Sequence, residues 1–557
     1  MKVVAPLLCS FKVNSTKSAR INNFAFNNLN VLSNDIVSFG QKNIFEDNKK
    51  LFDNYNPQIK DFTSYKIPVH NEKIANYLKH SYSSKEFVEL FKYVDRNGTF
   101  DFNINAKTGY VQTSLIAPKE NPLMSKLVWV TDSCNLLPLL KDKYPQMCVP
   151  LMENMSKYYV GQQRAFDAII NNPLLFDLNR DYAGTAKNGV GHVFNPANGV
   201  SHKWFARTRL DSLGLYINAM CDLINDGLNG KDYGYKTSHS VSPNAIESIA
   251  NSVKYLQKIV YPYAKDCGAW EEKTFDYTTS SDVAIINDAF RKIIDLMYSP
   301  SDNKEILLLR KRLLSAKHGD VFKDKKALKE MLLVGEYRIK TSSLQEVPFE
   351  RELDGAMSFI FKTEKYDDDV NKNAKEVFKR LKMLERGTKT SAEIVRDNGV
   401  LRYINDKYLY LNSDITGQKA EYNPQRIFPP KTEAQWFMTN NIAIDYGVIA
   451  KSLLEKIEKN NKVSKETLKL LDYALTKETE FINRAYARLT GPNSYKANGK
   501  IVEEFQVPEA YQAVNDSKGN IKFVPGTHTP LAWAQVTLYE ASKLFKENLE
   551  KYEKLFS

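Results

Sequence analysis

No apolar run in the 557-residue sequence approaches the roughly 20 residues that a membrane-spanning helix needs. A chain that crosses a bilayer is therefore not expected. Cysteine is scarce: Cys9, Cys134, Cys148, Cys221 and Cys267 are odd in number, widely spaced and form no C-x-x-C pair. Such usage excludes a disulfide framework and a thiolate zinc site, and reads as reduced, mostly buried thiols. No glycine-rich phosphate cradle, no serine-nucleophile motif and no fixed repeat of roughly 30 to 50 residues is present. His192 and His202 share a loop without further ligands, and "DRNGTFDFN" at 95 to 103 lacks the glutamate that closes a calcium loop. Neither a metal nor a cofactor is expected. The opening "MKVVAPLLCS" has one lysine, a short apolar run and no clear cleavage site. That favours the cytoplasm and leaves export open.

What the sequence does contain is ordinary for a globular protein: 43% hydrophobic, 12% aromatic and 26% charged residues. Its net charge of +12 raises the question of a nucleic-acid partner. The densest basic run, "LLLRKRLLSAKHGDVFKDKKALKE" at 307 to 330, is interrupted by acids and reads as the solvated faces of two helices. No nucleic-acid partner is expected. Residues 1–70 lack sustained periodicity and are expected to be an irregular arm or leader. From 71 to 557 a single domain of paired helices is expected, with apolar residues at spacings of three and four. "SSKEFVELFKYV" at 83 to 94 opens on a capping-type serine, and "SDVAIINDAFRKIIDLMYSP" at 281 to 300 runs from Ser281 as N-cap to Pro300 as stop. Similar patterns cover about 135–145, 150–170, 211–227, 245–263, 303–316, 370–385, 434–459, 464–488 and 531–553, and short strands are expected near 107–116 and 401–411. The unusual residues sit in long joining loops, where a rigid scaffold would gather function at one end. Nothing in the sequence indicates an oligomeric state.

Two carboxylate segments could carry chemistry. "DCGAWEEK" at 266 to 273 puts Glu271 and Glu272 behind Trp270, and "VPEAYQ" at 507 to 512 holds Glu509. Glycosidic cleavage with inversion needs one protonated carboxylic acid at the leaving oxygen and one carboxylate that activates water, roughly 6.5–9.5 Å apart and so from separate segments. An indole beside a carboxyl supplies an apolar wall that favours the protonated form. By itself a W-E-E triplet is ordinarily a solvated helix start.

The company of these segments adds to that reading. "TGYVQTSLIAPK" at 108 to 119 with "LVWVTDSCNLLPLL" at 127 to 140, "HVFNPANGVSHKWFARTRLDSLGLYINAM" at 192 to 220, "CGAWEEK", "NGVLRYINDKY" at 398 to 408 with "EAQWFMTNNIAIDYGVI" at 433 to 449, and "VPEAYQ" with "THTPLAWAQVTLYEASKLF" at 527 to 545 occur in one order. That order resembles glycoside hydrolase family 15, the glucoamylase-like enzymes, and the related amino-terminal domains of the phosphorylase kinase α and β subunits. The resemblance covers about 105 to 550. It implies an all-α fold, an (α/α)6 barrel of the six-hairpin glycosidase type with its site in the loops at one end. It also implies an inverting hydrolase that releases glucose from the non-reducing end of α-linked glucans or oligosaccharides. On this basis Glu271 aligns with the general acid, Glu509 with the general base, Glu272 with a carboxylate that holds the neighbouring sugar, and Asp132 with the aspartate that binds sugar hydroxyls. Arg402 aligns with the clamping arginine, and Trp129, Trp204 and Trp270 with the aromatic walls.

Asp211 is expected to be structural, a helix-start carboxylate accepting backbone N–H groups. One departure stands out: the enzymes usually carry arginine immediately before the first aspartate, and Thr131 stands there. A hydroxyl replaces a five-donor guanidinium, which another base would have to make good. A glucan-binding or regulatory module without catalysis, as in the kinase subunits, is the alternative. A helical protein without a sugar site is the third possibility.

Overall fold

In the computed structural model the described residues are 44–114, 127–178, 189–202, 209–271, 278–341, 345–346, 351–363, 369–406, 408–409, 411, 431–459, 463–492, 496–497, 500–526 and 528–556. Twelve helices build the body. They are α1 (Ser84–Arg96), α2 (Val130–Asn135), α3 (Pro145–Gly161), α4 (Asp211–Leu228), α5 (Pro243–Lys258), α6 (Ser280–Tyr298), α7 (Lys325–Thr341), α8 (Ser358–Thr363), α9 (Val370–Arg386), α10 (Thr439–Lys459), α11 (Lys465–Ala487) and α12 (Ala532–Phe556).

The even-numbered helices touch in a closed ring: α2 meets α4, α4 meets α6, then α8, α10 and α12 follow, and α12 returns to α2. The odd-numbered helices pack on the outside, α3 and α5 against α4, α7 against α6, α9 and α11 against α10, and α1 against α12. The fold is all-α, and the alternation of outer and inner helices is that of an (α/α)6 barrel. Burial follows position. Inner α6 is buried continuously from Ser280 to Asn287 and inner α10 from Thr439 to Gly447, because neighbours cover them on all sides. Outer α9 buries only Asn371, Ala374, Val377, Phe378, Leu381 and Leu384, the stripe that a helix shows to one layer.

Local chemistry accounts for the boundaries. Ser83 and Glu86 form a capping box at α1, as the sequence pattern predicts. Ser242 and Ser464 cap α5 and α11 with their hydroxyls. The stretch expected as one helix over about 150–170 divides at Gln162 into α3 and Gln163–Asn171. The segment expected at 434–459 starts as a helix only at Thr439, because Gln435–Trp436 joins a sheet. Among the described residues of 107–116 and 401–411 no strand forms; isolated bridges Ile104–Val111 and Ser114–Leu531 take the place of the first.

Residues 44–69 correct the expected boundary at 70. Ile44–Asp53 is a helix, and β1 (Gln58–Phe62) pairs with β2 (Tyr65–Val69) as an antiparallel hairpin. Phe62, Ile67 and Val69 enter the main core, and Phe52 and Tyr55 pack with Val502, Val514 and Val524. Apolar burial against two distant segments holds this stretch to the body without long periodicity of its own. The compact unit accordingly begins at Ile44.

Two small sheets lie on the connections that lead into inner helices. β3 (Val128–Trp129), β4 (Val193–Asn195) and β5 (Val200–Ser201) form one. β6 (Val395–Arg396), β7 (Gly399–Val400), β8 (Gln435–Trp436), β11 (Ala510–Asn515) and β12 (Ile521–Pro525) form the other in the order β12-β11-β8-β7-β6, while β9 (Lys496–Ala497) and β10 (Lys500–Ile501) make a separate hairpin. Cys134, Cys148, Cys221 and Cys267 are free and buried, as expected; Cys9 lies outside the described residues. No helix among the described residues is long and apolar enough to cross a membrane.

Candidate active site

Every candidate residue among the described residues lies at the start of an inner helix or on the connection leading into one. Asp132 is in the first turn of α2, and His192, Arg209 and Asp211 lead into or open α4. Glu271 precedes α6, Arg402 precedes α10 and Glu509 precedes α12. The alternation of the helices puts these connections at one end of the barrel. Inner-helix N-termini also gather there, and their unpaired N–H groups and dipoles favour negative charge.

The sheets set the register of the site. β8 pairs with β7 at Val400–Trp436 and with β11 at Ala510–Trp436. Arg402 follows β7 and Glu509 immediately precedes β11, so the same strand holds both segments. The Glu509 backbone is pinned on either side: its N–H donates to the His528 carbonyl at 3.0 Å, and its carbonyl accepts from the Phe437 N–H at 3.1 Å. On the other side of the site the Val130 N–H donates to the His192 carbonyl at 3.0 Å, fixing β4 against the start of α2.

Glu271 sits in a tight turn. Its N–H donates to the Gly268 carbonyl at 3.2 Å, and Gly268 and Glu271 have φ of 66° and 53°. A left-handed conformation is natural for glycine and unfavourable for glutamate, so the surrounding structure holds this side chain against its backbone preference. Asp266 ties the turn to the neighbouring connection, accepting from the Cys267 N–H at 2.9 Å and the Leu210 N–H at 3.3 Å.

The Glu271 carboxylate meets two bases. Arg209 Nη1 donates to Oε1 at 2.8 Å, and His192 Nε2 contacts the same oxygen. Arg209 is buried and also grips Asp211, with Nε 3.0 Å from Oδ1 and Nη2 3.2 Å from Oδ2. Burial alone would raise the Glu271 carboxyl, but Arg209 and His192 together hold it down at about 2. Glu509 is the reverse. Burial pushes its carboxyl up to about 8 against the pull of Arg402, and its buried Oε2 has no hydrogen-bond partner among the described residues. Asp132 is pushed up to about 7 by burial; Arg209 opposes the shift, and the negative charges of Glu271 and Glu509 add to it. The charges of Glu271 and Glu509 thus both bear on Asp132, and burial shifts Asp132 and Glu509 toward the protonated form. Thr131 donates its hydroxyl to Asp132 Oδ2 at 3.2 Å.

Arg402 is held in a cage. Its Nε and Nη2 donate to the two oxygens of Asp406 at 2.7 and 2.6 Å. Its guanidinium lies 4.8 Å from the Tyr408 ring, 4.9 Å from Trp436 and 5.6 Å from Trp270. Trp270 and Trp436 lie 5.6 Å apart and Phe359 and Trp533 stack at 5.3 Å, extending an aromatic layer across the connections. Trp129 is buried with Leu127 and Val193 beside β4. Asp211, Asn218, Phe359, Asn441 and Trp533 line a cavity of about 240 Å³ in the bore formed by the inner helices.

Two expectations are corrected. Asp211 does not cap its helix; it is the first helical residue, and its carboxylate accepts from the Arg209 guanidinium instead. Trp270 does not keep Glu271 protonated. Its Nε1 donates to Asp354 Oδ1 at 2.8 Å, tying the turn to the approach to α8, while the charge on Glu271 is set by Arg209 and His192. Replacing Trp270 by Phe should therefore cost about 1 kcal/mol in a urea titration through the lost hydrogen bond. It should leave the protonation of Glu271, read by carboxyl NMR, unmoved. Trp204 and Glu272 lie outside the described residues.

His192, Arg209, Asp406, Tyr408 and Trp436 are the site residues that sequence reasoning missed. Arg209 was legible as a candidate, since "RTRLD" places a guanidinium two residues before Asp211 and the Thr131 departure calls for a base. Among the described residues no cluster of His, Cys, Asp and Glu is placed to hold a metal ion.

No family model matches the sequence, and no curated protein is significantly similar to it. Several solved structures share its backbone course. The glucoamylase from Saccharomycopsis fibuligera aligns at TM-score 0.49 and 14% identity over 88% of this chain and 98% of its own. A glycosidase point variant in complex with glucose aligns at TM-score 0.47 and 12% identity over 85% of this chain and 100% of its own. A second glycosidase point variant aligns at TM-score 0.47, with 12% identity over the same shares.

Proposed function

We propose that the protein is a glycoside hydrolase that cleaves α-linked glucans or oligosaccharides from the non-reducing end with inversion. The observation that carries this reading is the pair Glu271 and Glu509. They come from separate connections, the charges of both bear on Asp132, and their surroundings push them in opposite directions, Glu271 down through Arg209 and His192 and Glu509 up through burial. Inversion needs two carboxyls on separate segments, one to give a proton to the leaving oxygen, the place of Glu271 in the family resemblance, and one to take a proton from water, the place of Glu509. Asp132 and Arg402 would hold sugar hydroxyls, while Trp129, Trp270 and Trp436 would cover the C–H faces of the ring. Arg209, whose charge bears on Asp132, would supply the positive charge that Thr131 does not. In the same reading Trp204 and Glu272 would complete the wall and the neighbouring subsite.

The Arg209–Glu271 ion pair also favours a second reading, a glucan-binding or regulatory module, because a carboxyl held ionised is a poor proton donor. The two separate in one experiment. Purified protein is incubated with a panel of α-linked disaccharides, and glucose release is followed by NMR. β-Glucose as the first product supports inversion; α-Glucan binding with no release from any disaccharide supports the module.

A further inference from the structure

We propose that Arg488 is a positioning residue of the active site: it holds the connection that carries Arg402 and the connection that carries Glu509 at a fixed spacing, and the segment 44–70 locks it in place through His70 and Tyr55. This inference rests on the glycoside hydrolase reading and extends it to a side chain placed behind the reacting groups.

Arg488 follows the last residue of α11 and is buried. Its Nε donates to the Asn398 carbonyl at 2.7 Å and its Nη2 to the Pro508 carbonyl at 3.3 Å. Asn398 directly precedes β7, which leads to Arg402, and Pro508 directly precedes Glu509. The peptide plane between Pro508 and Glu509 is thus gripped at both ends, its carbonyl by Arg488 and its N–H by the His528 carbonyl at 3.0 Å. Tyr511, two residues past Glu509, donates its hydroxyl back to the Arg488 carbonyl at 2.9 Å.

The segment 44–70 closes the arrangement. His70 Nε2 donates to Asn398 Oδ1 at 2.8 Å, and Tyr55 donates its hydroxyl to His70 Nδ1 at 2.6 Å. Burial pulls His70 down to about 3, so the neutral ring donates at one nitrogen and accepts at the other. That ring stacks on Tyr511 at 3.9 Å, and the His70 backbone N–H donates to the Ala487 carbonyl at 2.9 Å. A Cβ at Gly491 would lie 2.0 Å from the His70 carbonyl, so the two segments meet backbone to backbone.

The charge of Arg488 separates this arrangement from ordinary packing. Its hydrogen bonds go to two carbonyls, its Nη1 is buried without a partner among the described residues, and burial pulls the guanidinium down to about 10. A buried cation without a carboxylate is costly, and stability alone would favour a neutral donor here. Such a cost is kept where function needs a rigid fork whose nitrogens reach two segments at once.

A double-mutant cycle on the full chain tests the role. Arg488→Met and Arg488→Lys are made alone and together with Glu509→Gln, checked for folding by circular dichroism, and assayed for glucose release from maltose. With Glu509 present, Arg488→Met should lower kcat about 10²-fold, the scale on which a misplacement of roughly 1 Å acts. Arg488→Lys, which keeps the charge without the fork, should lose about tenfold. In the Glu509→Gln background either substitution should change kcat by less than about threefold, because the group being positioned is gone. Val377→Ala, a buried change in outer α9, is the destabilised control and should leave kcat unchanged in both backgrounds. Equal fold-losses in both backgrounds, or full turnover by Arg488→Met, overturn the positioning role and leave the hydrolase reading intact. No glucose release from any α-linked disaccharide by the unsubstituted protein overturns the hydrolase reading, and the positioning role with it. Should the Arg488 variants fail to fold, His70→Phe decides by the same cycle, since it keeps a ring on Tyr511 and loses the bond to Asn398. A loss confined to the chain that has Glu509 supports the proposal, and no loss, or the same loss in both backgrounds, overturns it.

Discussion

Replacing Arg209 by Met is expected to destabilise the fold by about 3–5 kcal/mol at neutral pH, the cost of removing one partner from a buried ion pair. The guanidinium touches Asp211 and Glu271 together and opposes the upward shift of Asp132, so one substitution strands several carboxylates. The pH dependence identifies the cause. Glu271 is held at about 2, below its unfolded value. Its stabilising contribution is therefore present above roughly pH 4.3 and is lost as the pH falls through about 2. The gap between variant and parent in urea denaturation should be widest near pH 7 and shrink as the pH falls toward 2, where Glu271 takes up its proton and no longer needs a cation. A gap of equal size at both pH values would mean that lost packing, not lost charge, accounts for it. Arg209→Lys should fall between the two, keeping the charge without the fork that meets Asp211 and Glu271 at once.

The paired helices were legible in the sequence because the long ones carry strong periodicity, while their closure into a barrel was expected only from the family resemblance. α6, α9 and α11 lie within two residues of the expected spans 281–300, 370–385 and 464–488. What periodicity could not give was the short α8, a single turn and a half too brief to show a period. The five-stranded sheet escaped for a related reason: β6, β7 and β8 are two residues each, and their pairing is set by tertiary contacts between distant connections. Asp132, Glu271, Arg402 and Glu509 were candidates through the family resemblance, and each lies in the first turn of an inner helix or on a connection leading into one. Their charge states were not legible. "GAWEEK" suggests that the indole governs Glu271, but the governing groups are Arg209 and His192, which precede it by dozens of positions and arrive through β4 and the start of α4. A sequence shows which carboxyl has an aromatic neighbour along the chain, and only the fold shows which has a cation across the gap.

Glu509→Gln carries the other large effect, and its sign reverses between activity and stability. On maltose the loss should be about 10²- to 10⁴-fold, as for removal of a general acid or base. Stability should move the other way. The folded-state value of Glu509 is raised to about 8, so its favourable contribution is complete below its unfolded value of roughly 4.3 and is lost as the pH rises through 8. Above that pH the parent carries a buried carboxylate whose Oε2 has no partner among the described residues, whereas the glutamine stays neutral. The variant should therefore melt higher than the parent at pH 9 and match it near pH 4, as followed by circular dichroism. Equal melting temperatures at pH 9 would mean that Glu509 is ionised in the fold without penalty.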